Sequence, residues 1–204
     1  MSSSSTIFEL LQAGADADVA INSLDRPALT YGGLRAIVLQ TAATLNGLGI
    51  GRNDRVAIVL PNGPQMATVF VAASTCTTTA PLNPAYKKDE YDFYLADLNA
   101  RALIVEKGSD SPAVQSALEQ DISIFEIEAG PDDPAGAFTF GGAQPDVTAD
   151  SLIMAGPEDT ALVLHTSGTT SRPKIVPLSH ANVCASAANI QETLCLEAGD
   201  ICLN

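Results

Sequence analysis

Short apolar runs alternate with segments of helical period along most of this chain, and that alternation limits the fold more than any other feature. Arg55-Val56-Ala57-Ile58-Val59-Leu60 is apolar without a polar face and is closed by Pro61-Asn62-Gly63. Such a run suits a strand covered on both sides. Before it, Leu34, Ile37, Val38, Thr41, Ala42, Leu45 and Leu48 recur at helical spacing, and Gly47 or Gly49 offers a helix end. After it the grammar repeats. Gln65 to Ser74 reads as a buried helix, Ala80-Pro81-Leu82 as a short strand, and Tyr91, Tyr94, Leu95 and Leu98 as one helix face. Ala102 to Val105 reads as a strand. Ser111-Pro112 then suits the cap and first residue of a helix to Glu119, and Ile122 to Ile127 reads as a strand with one open face. The expectation is an α/β fold, a mostly parallel sheet flanked by helices.

Hydrophobic residues make up 46% of the 204 and charged residues 17%, a globular composition. No apolar run is long enough for a membrane helix, and MSSSSTIFELL lacks the basic start of a secretory signal. The expected location is cytoplasmic, or peroxisomal if the complete protein carries a C-terminal address. With 10 basic and 24 acidic residues the net charge is −14, which repels nucleic acid and anionic lipid. Downstream of Lys107 the only basic residues are Arg172 and Lys174. A polyanion bound in that half would need both near it. Cys76, Cys184, Cys195 and Cys202 form no paired motif and sit among apolar or small residues, so they read as buried free thiols.

Residues 129–148 are rich in Gly, Pro and Asp and are expected to run as a surface loop, with a short β turn near Phe138 to Phe140. Strand and helix patterns then resume with Leu162-Val163-Leu164-His165 and Ile175-Val176-Pro177-Leu178. Ser179 suits the N-cap of a helix from His180 to about Leu194. Ile201-Cys202-Leu203 looks like the start of another strand, which suggests truncation.

Between the last two of these strands lies Thr166-Ser167-Gly168-Thr169-Thr170-Ser171-Arg172-Pro173-Lys174. Glycine lets successive backbone N–H groups turn toward one anion, and hydroxyls donate to phosphate oxygens. Arg172 and Lys174 add compensating charge. It is no Walker A loop, because Pro173 precedes Lys174 and an apolar strand follows instead of a helix. A solvent-exposed Ser/Thr turn between strands is the plainer alternative.

HTSGTTSRPKIVPLSHANV resembles the phosphate-binding signature of the adenylate-forming superfamily, usually YTSGTTGxPKGV, shared by acyl-CoA synthetases, luciferases and peptide-synthetase adenylation domains. LTYGGL…LGIGRNDRVAIVLPNGPQM and TAPLNPAYKKDEYDFYLADLNARALIV are similar to two further units of the family. Within it, SRPK and TTTAPLNPAY look most like oxalate–CoA ligases. The family glycine after Lys174 is Ile175 here.

The resemblance implies the first subdomain of the superfamily's large N-terminal, AMP-binding domain. It would occupy 1–204 incompletely, with the small C-terminal domain absent. It implies an acid–CoA ligase that forms an acyl-adenylate and then an acyl-CoA, using ATP, Mg²⁺ and CoA on a small carboxylate such as oxalate. Thr166, Ser167, Gly168, Thr169, Thr170, Ser171, Arg172 and Lys174 would hold the ATP phosphates. The acyl-site aromatic-His segment, the adenine loop, the ribose-binding Asp and the catalytic lysine are expected outside this chain, leaving the fragment inactive. His165 reads as a packing residue, with nucleotide contact the alternative. His180 fits a surface helix position or a site, and Asp54 with Arg55 a solvated turn pair. Two other readings stay open: an adenylation domain that loads a carrier protein, and a short, self-associating interaction module.

Overall fold

The computed structural model describes residues 4–141, 152–166 and 173–203. In chain order the elements are α1 (Ile7–Leu10), β1 (Val19–Ser23), β2 (Arg26–Thr30), α2 (Tyr31–Gly47), β3 (Arg55–Val59), α3 (Pro64–Ser74), β4 (Thr78–Pro81), α4 (Lys88–Leu98), β5 (Ala102–Glu106), α5 (Pro112–Glu119), β6 (Ser123–Glu128), β7 (Thr139–Phe140), β8 (Thr160–Thr166), β9 (Lys174–Ser179) and α6 (His180–Leu194). β1 and β2 form a separate antiparallel hairpin. The other strands form one sheet in the order β7-β6-β5-β3-β4-β8-β9. The inner five are parallel, and β7 and β9 close the two edges antiparallel.

Strand period and helix period together explain the layers. Val56 and Ile58 of β3, with Ala102 and Ile104 of β5, pack against Val38, Ala42 and Leu45 of α2 and Val69, Ala72 and Ala73 of α3. Their alternates, Ala57, Val59, Leu103 and Val105, pack against Tyr91, Leu95 and Leu98 of α4 and Ala113 and Ala117 of α5. Both faces of the sheet are therefore dry, which is why β3 and β5 read as continuous apolar runs. The chain steps from β3 to β4 and then back across β3 to β5, so right-handed crossovers put α3 and α4 on opposite faces. Burying a side chain such as Ile58 contributes roughly 1.5–3 kcal/mol.

Helix starts follow the local chemistry. The Thr30 hydroxyl accepts from Gly33 N–H, Ser111 from Ala113 N–H with Pro112 in the first turn, and Ser179 from Asn182 N–H, whose side chain returns to Ser179 N–H. The join between β4 and β8 is unusual. The strands share one registered pair, Thr79 with Leu162, and the Thr78 and Thr79 hydroxyls donate to the Thr160 and Ala161 carbonyls at 2.8 and 2.7 Å.

Several expectations are corrected. β1 lies in a stretch that carries no clear strand pattern. The part of the 129–148 segment up to residue 141 is packed down, because Ala135, Phe138 and Phe140 are buried and β7 pairs with β6. Ala135 N–H donates to the Pro27 carbonyl at 2.8 Å, and Arg26 reaches the Gly130 carbonyl at 2.8 Å. Gly136, at φ +84°, lies so close to α3 that a Cβ there would stand 2.4 Å from the Thr68 hydroxyl. Residues 142–148 lie outside the described residues. Residues 201–203 are exposed and form no strand. Cys76 and Cys184 are buried, but Cys195 and Cys202 are exposed, since α6 leaves the sheet after Cys184. Asp54 and Arg55 do not pair with each other: Asp54 accepts from Gly51 N–H and faces Arg101, while Arg55 donates to the Leu98 carbonyl.

Candidate nucleotide phosphate site

β8 and β9 form an antiparallel hairpin in which His165 pairs with Ile175 and Thr166 with Lys174. Thr166 and Lys174 therefore stand opposite each other at the hairpin's mouth, and both are exposed. β8 runs parallel to the inner strands, so this mouth opens at the carboxyl edge of the sheet, where α/β folds bind ligands. Of the residues expected to hold phosphate, Thr166 and Lys174 are placed in this way. Ser167, Gly168, Thr169, Thr170, Ser171 and Arg172 lie outside the described residues. Among the described residues Lys174 makes no ion pair, so its charge is available to an anion.

His165 sits one residue before the mouth on the opposite face, the side that Val163 and Ile175 turn toward α4. Its side chain is only 6% exposed, with Nε2 3.2 Å from Asp97 Oδ2. The ring meets Tyr94 edge to face at 4.6 Å, and Tyr94 stacks on Tyr86 at 4.9 Å. Burial pushes the Tyr94 phenol up to about 12, so it stays protonated. Ile175 is the cross-strand neighbour of His165 and fills the same partly buried layer. Asp97 and Tyr94 were not anticipated as partners of His165; Asp97 lies 68 residues away, and no local spacing links the two.

His180 is not a surface residue. It is fully buried, and its Nδ1 accepts a hydrogen bond from Ile7 N–H at 3.2 Å, tying α6 to α1. Its backbone N–H donates to the Asp159 carbonyl at 3.0 Å. Nε2 has no hydrogen-bond partner among the described residues; the Ser74 backbone is near enough to favour a protonated ring without completing a bond. Burial nevertheless holds the imidazole below its ordinary pKa. Asp159 accepts two bonds from Arg52, at 2.7 and 3.1 Å, and one from Gly156 N–H, and the Arg52 hydrogen bond holds its carboxyl below the usual range. These contacts build the base of the hairpin.

A polar cavity of about 480 Å³ lies elsewhere, at the carboxyl ends of β5 and β6, lined by Arg26, Gln65, Glu106, Lys107 and Glu128 among others. β3 and β4 separate it from the hairpin, and its Lys107 is paired with Glu128. It has no part in the phosphate site.

Comparison with known proteins gives a consistent answer. The chain is 36% identical over 179 residues to the oxalate–CoA ligase of Arabidopsis thaliana, covering 84% of this chain and 34% of that protein. It is 35% identical over 164 residues to the oxalate–CoA ligase of Saccharomyces cerevisiae, covering 70% and 30%. The chain thus spans about a third of the length of these relatives. Its fold matches MatB from Rhodopseudomonas palustris with a TM-score of 0.73 over 94% of this chain and 38% of that one, at 21% identity. Residues 11–204 match the model of the family described as AMP-binding enzyme, and the chain belongs to that family.

Proposed function

We propose that this chain supplies the phosphate-binding part of an ATP-dependent, AMP-forming acid–CoA ligase, and that its acid is oxalate or another small carboxylate. The observation that carries the reading is the hairpin mouth, which sets an exposed lysine, with no ion pair among the described residues, opposite Thr166 at the sheet's carboxyl edge. The choice of acid rests on the likeness to two oxalate–CoA ligases.

In this reaction a carboxylate oxygen attacks the ATP α-phosphorus, the bond to the bridging oxygen breaks, and pyrophosphate leaves with its charge. A thiolate of CoA then attacks the acyl carbon and AMP departs. Thr166, Ser167, Gly168, Thr169, Thr170 and Ser171 donate hydrogen bonds to the β- and γ-phosphates. Arg172 and Lys174 offset charge that grows on the departing pyrophosphate. These residues orient and stabilise; none is a nucleophile or base. Mg²⁺ supplies further charge neutralisation when bound. Among the described residues no group of three acidic, His or Cys side chains could hold it.

Titration calorimetry of the 204-residue chain with Mg–ATP tests the reading. Lys174→Ala removes one charge-assisted contact, worth about 1.5–3 kcal/mol, so affinity should fall by roughly ten- to a hundredfold. Equal affinity of wild type and variant would defeat the proposal. In the same preparation, oxalate-dependent pyrophosphate exchange should be absent, because phosphate contacts alone do not align the acid with the α-phosphorus.

A further inference from the structure

Among the described residues the hydrogen-bonded pairing of β8 with β4 lies near the start of β8. Its registered pair with β4 is at Leu162, and the threonine hydroxyl bonds are to Thr160 and Ala161. β4 then ends at Pro81, which has no N–H to continue a ladder. By that register Pro81 lies level with Leu164, so His165 and Thr166 run past the end of β4 with β9 as their strand partner among the described residues, and the two form a short arm there. Leu164, at the base of this arm, is 41% exposed. An arm held at one end moves most at its tip, and the tip carries Thr166 and Lys174.

Among the described residues one side-chain polar contact ties that tip back to the fold, and it is made by His165. Asp97 and Tyr94 both come from α4, which is itself fixed by Tyr91, whose hydroxyl donates to the Asn83 carbonyl at 2.8 Å. Cross-strand pairing joins His165 to Ile175, the neighbour of Lys174. The ring is therefore coupled to both sides of the hairpin mouth.

We propose that His165 is a positioning residue for the nucleotide: Asp97 and Tyr94 hold its ring, and through it fix Thr166 and Lys174 in the geometry that receives phosphate. This rests on the phosphate-site reading above. Asp97 accepts from the Nε2–H tautomer, and the edge-to-face contact with Tyr94 sets the ring plane. The role requires orientation, with no chemistry at the imidazole.

The experiment uses the 204-residue chain, with Mg–ATP affinity and amide hydrogen exchange as readouts. His165→Phe keeps a ring on Tyr94 but cannot donate to Asp97. Asp97→Ala removes the acceptor, and Asp97→Asn keeps one. A single hydrogen bond of this kind corresponds to roughly three- to tenfold in affinity. His165→Phe and Asp97→Ala should each weaken ATP by that factor, the double variant should be no weaker than either, and Asp97→Asn should restore most of the loss. In nucleotide-free protein the first two should speed exchange at Leu164, His165 and Thr166 while leaving Val56 to Val59 unchanged. Wild-type affinity in both single variants, additive losses, or unchanged exchange on the arm would each overturn the positioning role. If Lys174→Ala leaves affinity unaltered, or wild type binds no ATP, the phosphate-site reading fails instead, and the exchange measurement still decides whether His165 anchors the arm.

Discussion

The buried imidazole of His180 should make this chain less stable in mild acid. Its Nδ1 accepts from Ile7 N–H, so the ring is neutral with its proton on Nε2, and the side chain has no exposed surface. A second proton would have to sit on Nδ1, facing a donor. Burial already lowers the pKa; the Asp159 charge pulls the other way but is engaged by Arg52. An unfolded histidine titrates near 6.5, so stability from this group is complete above that pH. Because the folded pKa is depressed, stability is lost as pH falls below 6.5, and the loss stops once the folded pKa is passed. The slope is about 1.4 kcal/mol per pH unit. His180→Asn keeps an acceptor near the Nδ1 position and does not titrate. The smaller side chain costs on the order of 1–2 kcal/mol at every pH. Urea unfolding at pH 7.5 and 5.5 measures both effects. Wild type should lose as much as about 1.4 kcal/mol more than His180→Asn between those pH values, with exchange at the Ile7 amide following the same trend. Equal pH dependence in the two proteins would refute the reasoning.

In a ligase that carries this chain, Lys174→Ala should slow adenylation by about ten- to a hundredfold and thioester formation far less, because pyrophosphate has left before CoA attacks; single-turnover kinetics of each half-reaction measures this. Asp159→Ala should destabilise the chain by about 2 kcal/mol, leaving Gly156 N–H and Arg52 without their acceptor, as read from the urea midpoint. The Asp159 contribution should persist down to about pH 4 and fade below it, because the folded carboxyl pKa is lowered. A thiol reagent should modify Cys195 and Cys202 quickly in native protein and Cys184 and Cys76 only on unfolding, Cys76 being held by burial at about 12; peptide mass mapping tests the order.

Where a residue's surroundings are set by its own neighbours, the sequence made the structure readable. Ser111-Pro112 and Ser179 mark the starts of α5 and α6, and the unbroken apolar run at β3 marks a strand with two covered faces. Where the decisive partner is remote, no local pattern helped. The burial of His180 depends on Ile7, 173 residues away, and that of His165 on Asp97. A histidine following a helix cap looks solvent-facing until α1 is laid over it. The packing of residues 129–141 was hidden for a similar reason: Gly, Pro and Asp signal turns, while Phe138 and Phe140 find their cluster only through β6 and α2. Of the candidate phosphate site, the flanking strands were legible, but the pairing of Thr166 with Lys174 needed the antiparallel register.

The strand order carries a consequence for biosynthesis. As the chain emerges, β4 is laid on one side of β3, β5 on the other, β6 beside β5, β7 beside β6, β8 beside β4 and β9 beside β8. Every newcomer docks on an outer margin of what already exists, and none has to wedge between two earlier strands. The sheet can therefore grow by accretion, strand by strand behind the ribosome, without dismantling any pairing. The two edge strands are also poor templates for a stranger: β7 has two residues, and β9 carries Pro177.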